Sequence, residues 1–188
     1  VLYVTGEESL QQVALRANRL KIQANNIRIA AETSIDTICE MASKERPEVL
    51  IVDSIQVMHV TGIESAPGSV SQVREGAAAL TQFAKRTGIA VFMVGHVTKD
   101  GTLAGPKILE HCVDCSVILE AGTDMRYRTL RCQKNRFGAV NEIGVFAMTD
   151  TGLKEVKNPS AIFLNRQETV APGSLAMVTW EGTRPLLV

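Results

Sequence analysis

Apolar positions along this chain recur with two different periods, and the change between them divides the sequence. Over the first hundred residues, short continuous apolar runs alternate with longer stretches of helical spacing. Val1-Leu2-Tyr3-Val4 is such a run, as expected of a strand covered on both faces, and it ends in Thr5-Gly6-Glu7-Glu8. A helix is predicted from about Ser9, which makes a capping box with Gln12, and Leu10, Val13, Ala14, Ala17 and Leu20 fall on one face. Asn26 to Ala31 reads as a second strand. Thr33 or Ser34 caps a helix striped by Ile35, Ile38, Cys39 and Ala42, and Pro47 stops it. Val49-Leu50-Ile51-Val52 is the third strand, and Asp53-Ser54 stands at its tip.

His59 to Gly68 then reads as a loop of small and turn-forming residues, long enough to be a functional surface segment. Ser69 with Gln72 starts a long helix carrying Val70, Val73, Ala77, Leu80 and Ala84 at helical spacing, and Gly88 ends it. Ala90 to His96 is the fourth strand, followed by a second polar loop from Thr98 to Pro106. This rhythm of strand and helix predicts an α/β fold with a mostly parallel twisted sheet flanked by helices and joined by right-handed crossovers. From Cys115 onward short strands and turns replace it, the pattern of antiparallel hairpins at the C-terminal edge. One of them, the alternating run Arg126 to Cys132, leads into Lys134-Asn135-Arg136-Phe137-Gly138, where two cations flank an amide at a spacing suited to phosphate oxygens.

Composition narrows the class. A chain of 188 residues with 45% hydrophobic and 21% charged residues buries about 70% of its unfolded surface without disulfides or metal staples. Twenty basic and twenty acidic residues balance to zero net charge, so any nucleic-acid surface must be a local patch. Without an apolar run of about 18 residues or a signal peptide, the chain reads as cytoplasmic, and as one not bound to membrane. It begins at Val1 inside a strand pattern and without Met, the expectation for part of a longer protein. Cys112-Val113-Asp114-Cys115 has the spacing of half a zinc site, with His111 and Cys132 as further conceivable ligands. A second closely spaced pair is missing, and buried structural thiols are the favoured reading, free cysteine being among the most buried residue types.

Working residues of open parallel sheets lie past the carboxyl ends of the strands. Three such ends carry polar groups here: Glu7, Asp53 with Ser54, and His96. Asp53 is either a turn former or a carboxylate holding a metal-bound water. Glu7 or its neighbour Glu8 could orient and deprotonate a water, or cap the next helix. His96 is a base, a phosphate sensor or a satisfied strand-end histidine. No G-x-x-x-x-G-K-[ST] loop occurs, and Gly105-Pro106-Lys107 is no substitute, since proline removes an amide donor.

Taken together, YVTGEES (3–9), LIVDSIQVM (50–58), APGSVSQVRE (66–75), VGHVTKDGTLAGPKILEH (94–111), KNRFG (134–138) and WEGTRPLLV (180–188) closely resemble the bacterial RadA (Sms) family of RecA-like ATPases of DNA recombination and repair. The resemblance covers essentially the whole chain. It implies a RecA-like core over residues 1–170, then a linker and the start of a Lon-protease-like domain over 171–188, with the family's zinc finger and phosphate loop lying upstream. It also implies a hexameric ring on single-stranded DNA that uses ATP to drive branch migration of recombination intermediates, with the recombinase RecA as a partner. An alternative is a DNA-binding and oligomerisation module with a structural role.

Carried over residue by residue, the resemblance matches Asp53, beside Ser54, to the aspartate that supports Mg²⁺, and Glu7 to the glutamate that activates water. His96 falls where a phosphate-sensing glutamine stands in RecA. Lys134 and Arg136 would reach a neighbouring subunit's nucleotide. The loops 59–68 and 99–107 hold the positions of DNA-binding loops, with Lys99, Lys107 and, on the long helix, Arg74 as backbone contacts. Neither loop has an aromatic for base stacking, so readout would be sequence-independent.

Overall fold

A computed structural model describes residues 1–23, 25–96, 106–121, 126–140, 142–160, 177–181 and 184–187, the side chains of 106–108, 181, 184, 186 and 187 excepted. The chain divides into two compact units, Val1–Val113 and Asp114–Val188.

The first unit runs β1 (Leu2–Thr5), α1 (Leu10–Arg19), β2 (Arg28–Ala31), α2 (Ile35–Glu45), β3 (Val49–Asp53), α3 (Val70–Thr87), β4 (Ala90–Val94) and α4 (Pro106–Cys112). Its strands form one parallel sheet in the order β2-β1-β3-β4. The period of two along β1 and β3 sends Leu2, Val4, Leu50 and Val52 to a single face, where α2 and α3 supply Ile35, Ile38, Ala42, Val73, Leu80 and Phe83 to a shared core. Gly76 lets α3 approach closely, because a Cβ there would lie 2.6 Å from Ile35 Cδ1. Ser34 and Ser69 cap α2 and α3 through Thr37 and Gln72 amides, and Gly88 ends α3 in the left-handed conformation.

No residue of β1 is exposed, as expected of a strand covered on both faces, whereas Phe92 of β4 is 61% exposed. Two expectations need correction. The predicted stripe of α1 is buried at Val13 alone, with Leu10 exposed. The second and fourth strands are also shorter than the apolar runs suggest, since ladder pairing with β1 starts at Arg28 and pairing with β3 stops at Val94. The Ser9–Gln12 capping box is present, as are the loop after His59 and the long helix after it.

The second unit holds β5 (Cys115–Ala121), β6 (Tyr127–Asn135), β7 (Ile143–Thr149) and β8 (Gly152–Glu155), an antiparallel sheet in sequence order. The hairpins expected after Cys115 therefore pair among themselves. A bulge between Ser116 and Val117 shifts the β5–β6 register. β9 (Val178–Glu181) and β10 (Arg184–Leu187) form a separate antiparallel pair. The linker expected at Ala171 to Ser174 lies outside the described residues. Among the described residues no helix is long and apolar enough to cross a membrane.

Candidate active site

Parallel pairing sets Thr5 beside Asp53 and Asp53 beside Val94, so β1, β3 and β4 end at one edge of the sheet. The polar residues that follow them meet there. The Ser54 hydroxyl, fully buried, donates to Glu7 Oε1, and the same carboxylate oxygen lies 3.3 Å from His96 Nε2. Side chains from two strand tips thus converge on one acceptor at a third. The turn that delivers Glu7 is built by Thr5, whose buried hydroxyl accepts from the Glu8 amide at 3.0 Å, and by Gly6, whose amide donates to the Asp53 carbonyl at 2.8 Å. A Cβ on Gly6 would stand 2.5 Å from Val57 Cγ2, so the turn requires glycine. Glu8, the other carboxylate left open by the sequence, turns away and pairs with Arg16 of α1.

Asp53 sits next to this cluster, and Tyr3 of β1 donates its hydroxyl to Asp53 Oδ2. Burial first, then the hydrogen bond to Asp53 and its charge, hold the Tyr3 phenol above its usual range, so it stays a donor. Magnesium takes hard oxygen donors, one or two carboxylates with waters and phosphates completing the shell. Asp53, oriented by Tyr3 and adjacent to Ser54, fits that chemistry. Among the described residues no group of three His, Cys, Asp or Glu gathers as a protein-only metal cage. Gln56 links two of the tips, its Nε2 donating to the His96 carbonyl at 3.0 Å.

Tyr3 and Gln56 were not singled out from the sequence. Tyr3 lies inside an apolar run, and only the period of two, which puts it on the face of Asp53, could have marked it. Gln56 follows the strand tip in a short 3-10 turn, Ile55–Val57, that carried no sequence signal.

Arg74 is exposed on α3 and bonded to its neighbour Glu75. Lys99 lies outside the described residues, and Lys107 falls within α4 with its side chain outside them. The loop after His59 is held onto α3 by the buried Gln72: its Oε1 accepts from Val60 N at 2.9 Å, and its Nε2 donates to the carbonyls of Ser65 and Ile63 at 2.9 and 3.2 Å. In the second unit Lys134 and Asn135 end β6, and Arg136 to Gly138 form the turn after it. Arg136 Nη1 donates to Asp114 Oδ1 at 2.7 Å. The reading of the cysteines as buried thiols is overturned for Cys115, which is exposed; Cys112 and Cys132 are half-buried. At the start of β5 the alternation leaves Cys115 on the open side, a placement an apolar neighbourhood in sequence does not reveal.

A parallel sheet with acidic, hydroxyl and imidazole side chains gathered past adjoining strand tips in one unit, and an antiparallel sheet in the other, are the parts of an α/β RecA-like core. The family described as AAA domain matches residues 1–102, and the chain belongs to it. Throughout its length the chain is similar to curated proteins named DNA repair protein RadA, which bears out the resemblance read from its motifs. It is 65% identical over 187 residues to that of Escherichia coli, and 48% identical over 188 residues to those of Listeria monocytogenes and Bacillus subtilis. In each case all of this chain is matched, and it spans 41% of the relative's length.

Proposed function

We propose that the chain is the central part of an ATP-dependent DNA motor of homologous recombination and repair. The single observation that carries this reading is the convergence of Ser54 and His96 on Glu7 Oε1, with Asp53 adjoining. A carboxylate fixed by two neighbours at a strand tip has the posture of a general base. In this reading ATP is the substrate, Glu7 accepts the proton of the attacking water, and Ser54 holds the carboxylate in place. His96, 3.3 Å away, responds to the terminal phosphate and relays its state to Glu7. Asp53 holds Mg²⁺ through water, the ion shielding phosphate charge when bound.

Lys134 and Arg136 act on the nucleotide of a neighbouring subunit in a homo-oligomeric ring, as a hexamer. Cations of that kind raise turnover by about 10³ to 10⁵. Lys99, Lys107 and Arg74 contact the backbone of single-stranded DNA and branched recombination intermediates, with RecA as a partner. Residues 1–170 then make up the motor core and 171–188 lead into the following domain. The names of the relatives and the family match support this reading.

The test is ATP turnover with and without single-stranded DNA, in the protein expressed from its complete reading frame. Lys134→Ala and Arg136→Ala should each lower DNA-stimulated turnover by about a thousandfold or more while DNA binding persists. Unchanged turnover in both variants would remove KNRFG from the motor.

A further inference from the structure

Arg136 meets Asp114 twice. One residue beyond the last β5–β6 ladder pair, Cys115 with Asn135, the Arg136 amide donates to the Asp114 carbonyl at 2.9 Å. Its guanidinium returns to the same residue, Nη1 donating to Asp114 Oδ1 at 2.7 Å. The turn beyond is closed separately by Asn135, whose Oδ1 accepts from Phe137 N at 3.0 Å and whose Nδ2 donates to the Ala139 carbonyl at 3.2 Å. Backbone and side chain of Arg136 are therefore both fixed, although its side chain is 55% exposed.

We propose that Asp114 is the positioning residue for Arg136, holding its guanidinium ready for an anionic phosphate group brought by a second copy of this chain. Arginine has five N–H donors, and this contact uses Nη1 alone, so the fork retains donors for phosphate oxygens. Ion pairs this exposed contribute little to stability. What the contact does is remove rotamer freedom that a long cationic side chain would otherwise lose on reaching its target. This inference rests on the proposed trans-acting role of Arg136.

The experiment compares Asp114→Ala, Asp114→Asn, Arg136→Ala and the double variant Asp114→Ala/Arg136→Ala in the complete protein, by steady-state ATP turnover with single-stranded DNA and by thermal melting. Asp114→Ala should lower kcat about tenfold with KM for ATP unchanged. Asp114→Asn, which keeps an acceptor oxygen, should restore turnover to within about twofold of wild type. The double variant should be no slower than Arg136→Ala, because the two residues act as one unit. Wild-type kcat in Asp114→Ala with an impaired Arg136→Ala would overturn the inference and leave the arginine's role standing. So would multiplied losses in the double variant, or an Asp114→Asn as slow as the alanine variant. Should Arg136→Ala itself turn over normally, the trans-acting reading fails and the positioning role with it.

Discussion

The Tyr3 hydroxyl reaches across from β1 to donate to Asp53 Oδ2 at the tip of β3. A phenol raised above its usual range by burial and by Asp53 keeps its proton throughout the working pH range, so the contact is a permanent donor. Tyr3→Phe removes it while keeping the ring. Partners that orient a metal-supporting carboxylate typically matter by about 10- to 100-fold. The Mg²⁺ concentration for half-maximal ATP turnover should therefore rise about tenfold, with turnover recovering at high Mg²⁺. An unshifted Mg²⁺ titration would separate Tyr3 from the site.

Glu7→Gln keeps the size of the side chain and an acceptor for the Ser54 hydroxyl, but takes away the basic carboxylate. Loss of a positioned general base costs about 10² to 10⁴ in rate. Turnover should fall by about that factor, while ATP binding measured by equilibrium titration stays within a few-fold. A variant with normal turnover would exclude Glu7 as the base and return attention to Glu8.

Gln72 is 3% exposed and makes three hydrogen bonds to the loop of residues 60–65. Gln72→Ala leaves the part-buried Val60 amide without its acceptor, a loss of about 1 kcal/mol. Urea denaturation should show that decrease, and hydrogen exchange at the Val60 amide should accelerate while α3 amides stay protected. Equal acceleration along α3 would mean that Gln72 supports the helix rather than the loop.

Gly76 lies within α3, where alanine would normally favour the helix by about 1 kcal/mol. Here the added Cβ meets Ile35 Cδ1 at 2.6 Å, and Ile35 is 1% exposed, so its side chain must repack within the core. Overpacking outweighs propensity, so Gly76→Ala should destabilise the fold by about 1–3 kcal/mol. A stabilised variant in chemical denaturation would show that α2 and α3 can separate without cost.

Two carboxylates near the start of α2 give the fold an acid limit. Glu32 is held below the usual range by the Ser34 and then the Thr33 amide, and Asp36 by the Thr61 hydroxyl and amide. Each binds its proton more readily in the unfolded chain. Their contribution is therefore present above about pH 4.3 and drains away as the pH falls through the folded-state values. Denaturation midpoints should fall as the pH drops below about 4.3, and the double variant Glu32→Gln/Asp36→Asn should flatten that limb. An unchanged acid limb would assign the pH dependence to other groups.

Local rules carried much of the fold. Continuous apolar runs marked β1 and β3, the 3.6-residue stripes marked α2 and α3, and Ser9, Ser34, Ser69 and Gly88 marked helix ends, because those signals act between residues a few positions apart. Glu7, Asp53, Ser54 and His96 were legible as strand-tip residues for the same reason. The sequence on its own also carried the family, through motifs such as KNRFG that need no coordinates to be matched. Only the tertiary structure showed that Glu7 meets the buried Ser54 hydroxyl 47 positions away while Glu8 pairs with Arg16. It alone brought Tyr3 to Asp53 across 50 positions and Asp114 to Arg136 across 22. Such pairs follow from strand register and the closing of turns, properties that belong to the assembled sheet rather than to any stretch of chain within it.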